Sequence, residues 1–228
     1  MERIGGRDHY AVRMDAVMPE VETYMRSLLD RYDEPVLLEM EREGRERHFP
    51  IIERLVGVTV ELLARSVGAR RVFELGSGYG YSAYWFSRAV GPDGEVHCTD
   101  GDPDNEAKAT EYLSRAGLDG PIRWHVGDAV THLASVDGEF DVIYDDIDKE
   151  GYPDAWRAAR DRIRVGGLYV CDNVIWSGRP FGLNVETEWD RTTGEAVAEH
   201  NRLISEDGRY VSSIVPTRDG VMVALRIT

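Results

Sequence analysis

From Arg71 to Cys171 the chain alternates between short runs rich in β-branched and aromatic residues and longer stretches with apolar residues at helical spacing. That alternation constrains the fold more than any other feature. The runs that read as strands are Arg71–Leu75, Glu95–Asp100, Ile122–Val126, Phe140–Asp145 and Gly167–Cys171, separated by helical segments near Ser82–Val90, Asp104–Ala116, Val130–Ser135 and Pro153–Arg164. Such a pattern predicts an α/β fold with a parallel sheet and helices on both faces. Upstream, residues 1–12 read as loose and three helices are expected: one from Val21, one from Pro35 to the break at His48-Phe-Pro50, and one from Ile51 to Val67. Downstream, Asp190–Ser205 reads as a helix, and two apolar runs around a Pro/Asp-Gly turn within residues 210–227 read as a hairpin. With no repeats or linkers, residues 1–228 read as one domain.

Two of the strands end in acid. Phe140-Asp-Val-Ile-Tyr-Asp-Asp-Ile-Asp-Lys149 and Gly167-Leu-Tyr-Val-Cys-Asp-Asn173 are apolar runs that stop at carboxylates. Buried parallel strands deliver ligand-binding groups at their C-terminal ends. If the two strands are neighbours, about 5 Å apart, Asp146, Asp172 and Asn173 converge on one hard cation. Lys149 follows three residues after Asp146, and the only other lysine is Lys108. In a chain that otherwise uses arginine, a lysine there points to proton transfer rather than to a surface charge. Asp145 and Asp148 flank the group and are expected to support it or to be solvated.

A second constellation precedes it. Val72-Phe-Glu-Leu-Gly-Ser-Gly-Tyr-Gly-Tyr-Ser82 is a strand, a glycine turn and a helix start. Gly76, Gly78 and Gly80 permit positive φ and close approach of a ligand to the backbone. The dinucleotide fingerprint requires a third glycine where Tyr81 stands, which argues against a dehydrogenase. Glu74 suits a cationic ligand such as a sulfonium with an amino-acid tail. Asp100, at the end of the next strand, suits a pair of ribose hydroxyls; its alternative is a turn or helix-cap acid. Gly127-Asp128-Ala129 ends the third strand where an adenine edge can be read, and Asp128 can also cap the helix that follows.

Composition excludes several classes. A formal net charge of −15 leaves no basic surface for a polyanion, so nucleic acid is not an expected partner. The same acid-rich, lysine-poor composition suits either a salt-adapted protein or a GC-rich genome. No apolar stretch is long enough to span a membrane, and the N-terminus has no apolar signal core, so a cytoplasmic location is expected. Cys98 and Cys171 sit in strand-like runs and read as buried thiols. The six histidines show no ligand spacing.

Taken together, the chain resembles the metal-dependent O-methyltransferases of the caffeoyl-CoA and catechol type. The quoted residues are Glu74-Leu-Gly-Ser-Gly-Tyr-Gly-Tyr-Ser82, Asp146-Ile-Asp-Lys-Glu-Gly-Tyr152, Asp172-Asn-Val-Ile-Trp-Ser-Gly178, then Asn201, Asp207-Gly-Arg209 and Pro216-Thr-Arg-Asp-Gly220. Gly57 also falls where the family has a glycine. The resemblance runs from about residue 45 to the end. It implies a Rossmann-like class I fold, a seven-stranded and mainly parallel sheet closed by an antiparallel hairpin. It implies S-adenosyl-L-methionine at Glu74, Gly76, Ser77, Gly78, Ser82, Asp100, Asp128 and Ala129. It further implies a divalent cation on Asp146, Asp172 and Asn173, with Lys149 and Asp146 as catalytic groups and a homodimer as the assembly. An all-oxygen donor set favours Mg²⁺, or Ca²⁺ or Mn²⁺, over zinc. The expected acceptor is a small molecule with vicinal hydroxyls, whose chelation would lower a hydroxyl pKa and fix its position. Lys149 is then expected to act as base, its pKa lowered by the cation. Trp176 is a candidate wall for an aromatic acceptor. Residues 1–45 and 179–190 match no family pattern, and in this family such regions line the acceptor pocket. Alternative readings are a modified tRNA base as acceptor, or a cofactor- or metal-binding protein without catalysis.

Overall fold

Seven strands form one sheet: β1 Arg71–Leu75, β2 Glu95–Asp100, β3 Ile122–Val126, β4 Phe140–Asp145, β5 Ile163–Cys171, β6 Tyr210–Val215 and β7 Val221–Arg226. The computed structural model describes residues 18–228, so the loose segment expected over residues 1–12 lies outside the described residues. The strand order is β3-β2-β1-β4-β5-β7-β6. β1 to β5 run parallel, and β7 pairs antiparallel with both β5 and β6. The predicted architecture is therefore present, with the second strand of the hairpin inserted next to β5.

The order reverses between β1 and β4, and open α/β sheets bind ligands in the crevice beyond such a switch point. Register brings the strand ends level there, with Leu75 opposite Asp145 and Asp145 opposite Cys171. Two backbone bonds extend the alignment by one residue, Asp146 N–H to Leu75 O at 2.9 Å and Asp172 N–H to Asp145 O at 3.1 Å. Gly76, Asp146 and Asp172 thus leave three adjacent strands in one row.

The helices are α1 Pro19–Ser27, α2 Pro35–Arg47, α3 Glu53–Ser66, α4 Tyr81–Val90, α5 Pro103–Arg115, α6 Ala129–Ser135, α7 Tyr152–Ala159 and α8 Glu188–Glu206. Side chains alternate across the strands. Val72, Val142 and Tyr144 join Met40, Val56, Trp85 and Tyr112, from α2 to α5, in one core. Phe73, Ile143 and Tyr169 join Trp156 and Val197, from α7 and α8, in the other. Both cysteines are buried free thiols, and no described helix is long and apolar enough to cross a membrane.

Three boundaries show how the chain departs from the sequence reading. The helix expected to reach Arg164 stops at Ala159, and β5 begins four residues earlier than expected, at Ile163. Arg162 leaves the helical path to donate to Leu133 O at 2.7 Å and Gly138 O at 2.8 Å, and Ile163 is fully buried. The pairing then shifts register between Phe140–Ile163 and Val142–Leu168, so Arg164 to Gly167 bulge out of the ladder. Gly167 is needed at that bulge, since a Cβ there would lie 2.7 Å from Asp141 O. Helix α8 starts two residues before the expected Asp190 because Thr187 and Asp190 close a capping box.

Candidate active site

A cleft of about 1390 Å³ opens over the C-terminal ends of the parallel strands, and it holds both constellations found in the sequence. Gly76, Ser77, Gly78, Ser82, Asp100, Asp128 and Ala129 line one part; Asp146, Lys149, Asp172 and Asn173 line the other.

In the glycine half, the loop after β1 is tied to β2. Ser77 N–H donates to Thr99 O at 2.7 Å and Gly76 N–H to Thr99 Oγ1 at 3.1 Å. Gly76 has φ +83°, and a Cβ on it would lie 2.7 Å from the Asp146 carbonyl oxygen. The two halves therefore touch through backbone, and only glycine fits the contact. Glu74 is fully buried behind this loop and does not line the cleft. Its Oε2 accepts from Ser77 Oγ at 3.1 Å and Cys98 Sγ at 3.2 Å. Burial pushes Glu74 up to about 7, against the pull of Ser82, Cys98 and Ser77. Among the described residues its Oε1 has no hydrogen-bond partner. Ser77 and Ser82, rather than Glu74 itself, stand at the cleft surface.

Asp100 is not a helix cap. That role falls to Asp102, whose side chain accepts from Asp104 N–H at 2.9 Å. Asp100 is the turn acid of the alternative reading, its Oδ1 accepting from Asp102 N–H at 2.8 Å, and Asn105 Nδ2 donates to the same oxygen at 3.0 Å, while the residue still lines the cleft. Asp128 does cap α6, accepting from Thr131 N–H at 2.7 Å. The Thr131 side chain, and then this backbone bond, hold its carboxyl below the usual range.

In the acidic half, Asp172 is 2% exposed. Burial, then the neighbouring Asp146, pushes it up to about 7. Burial also raises Asp146, while Lys149 and Arg218 oppose the shift. Asn173 adopts φ +57°, a left-handed conformation uncommon for a residue with a side chain and typical of sites where geometry is imposed. Lys149 is 9% exposed. Its Nζ donates to Asp146 Oδ1 at 3.2 Å, Ile147 O at 3.2 Å and Tyr152 Oη at 2.6 Å. Tyr152 in turn donates to Asp172 O at 2.8 Å. Burial pulls the Lys149 pKa down, but Asp146 and Asp172 outweigh it and the net direction is up. In this arrangement of protein groups alone, Lys149 is a protonated donor, opposite to the direction a base requires.

Trp176 lines the cleft as predicted, its ring 5.3 Å from Lys149 Nζ and its Nε1 donating to Thr193 Oγ1 at 2.9 Å. Trp189, within the 179–190 segment expected at the acceptor pocket, lines the cleft, as do Phe49 and Arg218, which the sequence reading did not single out. Trp189 stands edge-on to Trp176 at 5.8 Å and is 53% exposed. Phe49 packs over Gly78, where a Cβ would lie 2.9 Å from its ring. Arg218, in the turn between β6 and β7, donates to Ile51 O at 3.0 Å and pairs with Glu53 at 3.2 Å. The capping-box spacing Thr187-x-x-Asp190 was the available signal for Trp189; Arg218 carried none beyond its place in a turn.

Asp145 points to the opposite side of the sheet. It is fully buried, and its Oδ2 lies 2.6 Å from Tyr169 Oη, a hydroxyl with a single proton to give that also lies 3.0 Å from His200 Nε2. Burial pushes Asp145 up to about 7 and His200 down to about 4, so one cause favours the neutral form of each. Asp148 is exposed at the cleft edge.

Comparison with known proteins places this geometry. Residues 30–227 match the family model described as O-methyltransferase. A catechol O-methyltransferase of Niastella koreensis is 32% identical over 174 residues, covering 74% of this chain and 78% of that protein. A probable caffeoyl-CoA O-methyltransferase of Dictyostelium discoideum is 26% identical over 196 residues, covering 84% of each. Among solved structures, the O-methyltransferase TomG from Streptomyces achromogenes, in complex with SAM, superposes with a TM-score of 0.80 at 25% identity. That match covers 92% of this chain and 96% of TomG.

Proposed function

The chain belongs to the O-methyltransferase family, and from that premise we propose that it transfers the methyl group of S-adenosylmethionine to one hydroxyl of a small acceptor bearing vicinal hydroxyls, with a divalent cation held by Asp146, Asp172 and Asn173. The observation that carries this reading is the row of strand ends, which sets three oxygen-donor residues and Lys149 beside the glycine loop in one cleft. The donor chemistry fits a hard cation: two carboxylates and an amide, with Asp172 raised to about 7 by burial and then by the neighbouring Asp146. The glycine half fits the cofactor. It offers the hydroxyls of Ser77 and Ser82, the oriented carboxylate of Asp100 and, beneath the loop, an unpartnered Glu74 oxygen. Mg²⁺ is the cation we assign.

Bound there, a divalent cation supplies Lewis acidity that lowers the pKa of a coordinated hydroxyl and fixes its orientation. The remaining work falls to the chain. Ser77, Ser82, Asp100 and Ala129 orient the methyl donor, and Trp176 and Trp189 wall the acceptor ring and exclude water. Lys149 Nζ is the group within reach to take the hydroxyl proton. Its hold on its own proton weakens once the charges of Asp146 and Asp172 are neutralised. General-base assistance of this kind is worth about 10²–10⁴-fold.

Methyl transfer to simple catechols, assayed with Mg²⁺ and again in EDTA, tests the proposal. Activity should vanish in chelator and return when Mg²⁺ is added back; full activity in EDTA removes the cation from the reading. In the same assay Lys149→Arg, which keeps the charge, should lose about 10²–10⁴-fold in kcat. A near-normal rate for that variant would eliminate the base role.

A further inference from the structure

Behind the acidic half of the cleft lies a line of buried polar groups that the reaction above does not use. It begins at Asp145, next to Asp146, and passes to the Tyr169 hydroxyl at 2.6 Å and on to His200 Nε2 at 3.0 Å. His200 Nδ1 lies 3.2 Å from Asn201 Oδ1, and Asn201 Nδ2 donates to Val174 O at 2.8 Å. The line thus starts one residue from Asp146 and ends one residue from Asn173, crossing from β4 through β5 to α8 and back. Asp145, Tyr169 and His200 have no exposed surface.

We propose that Asn201, backed by His200 and Tyr169, is a positioning residue that sets Asn173 as a cation ligand through the Val174 carbonyl. Asn173 sits at φ +57°, a left-handed conformation that asparagine tolerates better than most residues, and the contacts around it fix the peptide there. Asn173 N–H itself donates to Asp172 Oδ1 at 2.8 Å. Val174 N–H donates to Gly220 O at 3.0 Å and Ile175 N–H to Asp219 O at 2.8 Å, which holds one edge of the segment against the turn before β7. The Asn201 amide holds the other edge by the carbonyl. With the backbone gripped on both sides, the Asn173 side chain is kept at the cleft. An amide is suited to this place: Asn201 Nδ2 donates forward while Oδ1 accepts from His200, so the imidazole fixes which way the amide faces. Groups standing behind ligands in this way affect metal affinity by about 10–100-fold.

The inference rests on the reading of Asn173 as a ligand, and the test separates the two. Mn²⁺ binding to the full chain, followed by the electron paramagnetic resonance of free Mn²⁺, is measured for the wild type, Asn201→Ala and Asp172→Ala; S-adenosylmethionine binding without metal is measured by calorimetry. Asn201→Ala should weaken Mn²⁺ by about 10–100-fold while cofactor affinity stays within about twofold. Unchanged Mn²⁺ affinity overturns the proposal. So does a parallel loss of Mn²⁺ and cofactor binding, the mark of a merely structural role. If Asp172→Ala binds Mn²⁺ as the wild type does, the cation assignment itself fails and takes this inference with it. Should Asn201→Ala not fold, Tyr169→Phe decides the matter: it keeps the ring packed on Trp156 and removes only the hydroxyl. It should weaken Mn²⁺ severalfold with cofactor binding intact, and an unchanged Mn²⁺ affinity overturns the proposal.

Discussion

At the scale of single residues, Asp172 makes the proposed cation site sensitive to protons. Its carboxyl is raised to about 7, first by burial and then by Asp146. A proton and a cation therefore compete for it across neutral pH. The sign follows directly. Below about pH 7 the folded protein holds the proton, and cation binding must expel it; above that the carboxylate is already ionised. The rise in melting temperature on adding Mn²⁺ should accordingly grow from pH 5.5 to pH 8 and level off above neutrality. Thermal melts with Mn²⁺ and with EDTA at each pH measure that increment, and contributions from groups away from the site cancel in the difference. A flat increment would mean that Asp172 is not a ligand. Asp146, Asp172 and Asn173 could be read from sequence because acids at the end of an apolar run have few other uses. Lys149 stood out for its rarity. Arg218 and Phe49 could not be read, because they reach the cleft from the β6–β7 turn and from the segment after α2, a juxtaposition created only by folding.

At the scale of elements, the start of α8 shapes the side of the cleft proposed to hold the acceptor. Thr187 accepts from Asp190 N–H at 3.1 Å, and Asp190 Oδ2 accepts from Thr187 N–H at 2.9 Å. The same carboxylate group meets Arg179 Nε at 2.7 Å. The box fixes where Trp189 emerges, and Arg179 lies 5.1 Å from Trp176 and 5.8 Å from Trp189. Thr187→Ala should cost about 0.5–2 kcal/mol in urea unfolding and should raise the acceptor KM more than it lowers kcat. An unchanged KM would separate Trp189 from the acceptor. Elements with strong periodicity were legible: every predicted strand is present, and most boundaries fall within two residues. The exception, β5, was misread because Ile163 and Val165 continue the apolar spacing of α7. Ile163 pairs with Phe140 while Val165 lies in the bulge, whose place depends on how Phe140 and Val142 pair across the ladder. No local signal encodes a partner strand's register.

At the scale of the whole molecule, 42 acidic side chains face 27 basic ones. Long-range repulsion of that size opposes compaction. Raising monovalent salt from 0.01 to 1 M shortens the screening length from about 30 Å to about 3 Å. Exposed ion pairs contribute only about 0–1 kcal/mol each, so relief of net repulsion should dominate and the melting temperature should rise with salt. A fall would show that the arginine–carboxylate pairs outweigh the excess charge. The backbone contact between Gly76 and Asp146 has a different kind of consequence. The loop assigned to the methyl donor and the loop assigned to the acceptor's cation share a boundary with no volume to spare, 2.7 Å for an atom that glycine omits. Any displacement of one wall is felt by the other, and binding free energies coupled in this way are reciprocal. Changes that retune donor recognition and acceptor recognition in this chain are therefore epistatic, and variation at the seam is confined to substitutions that suit both ligands at once.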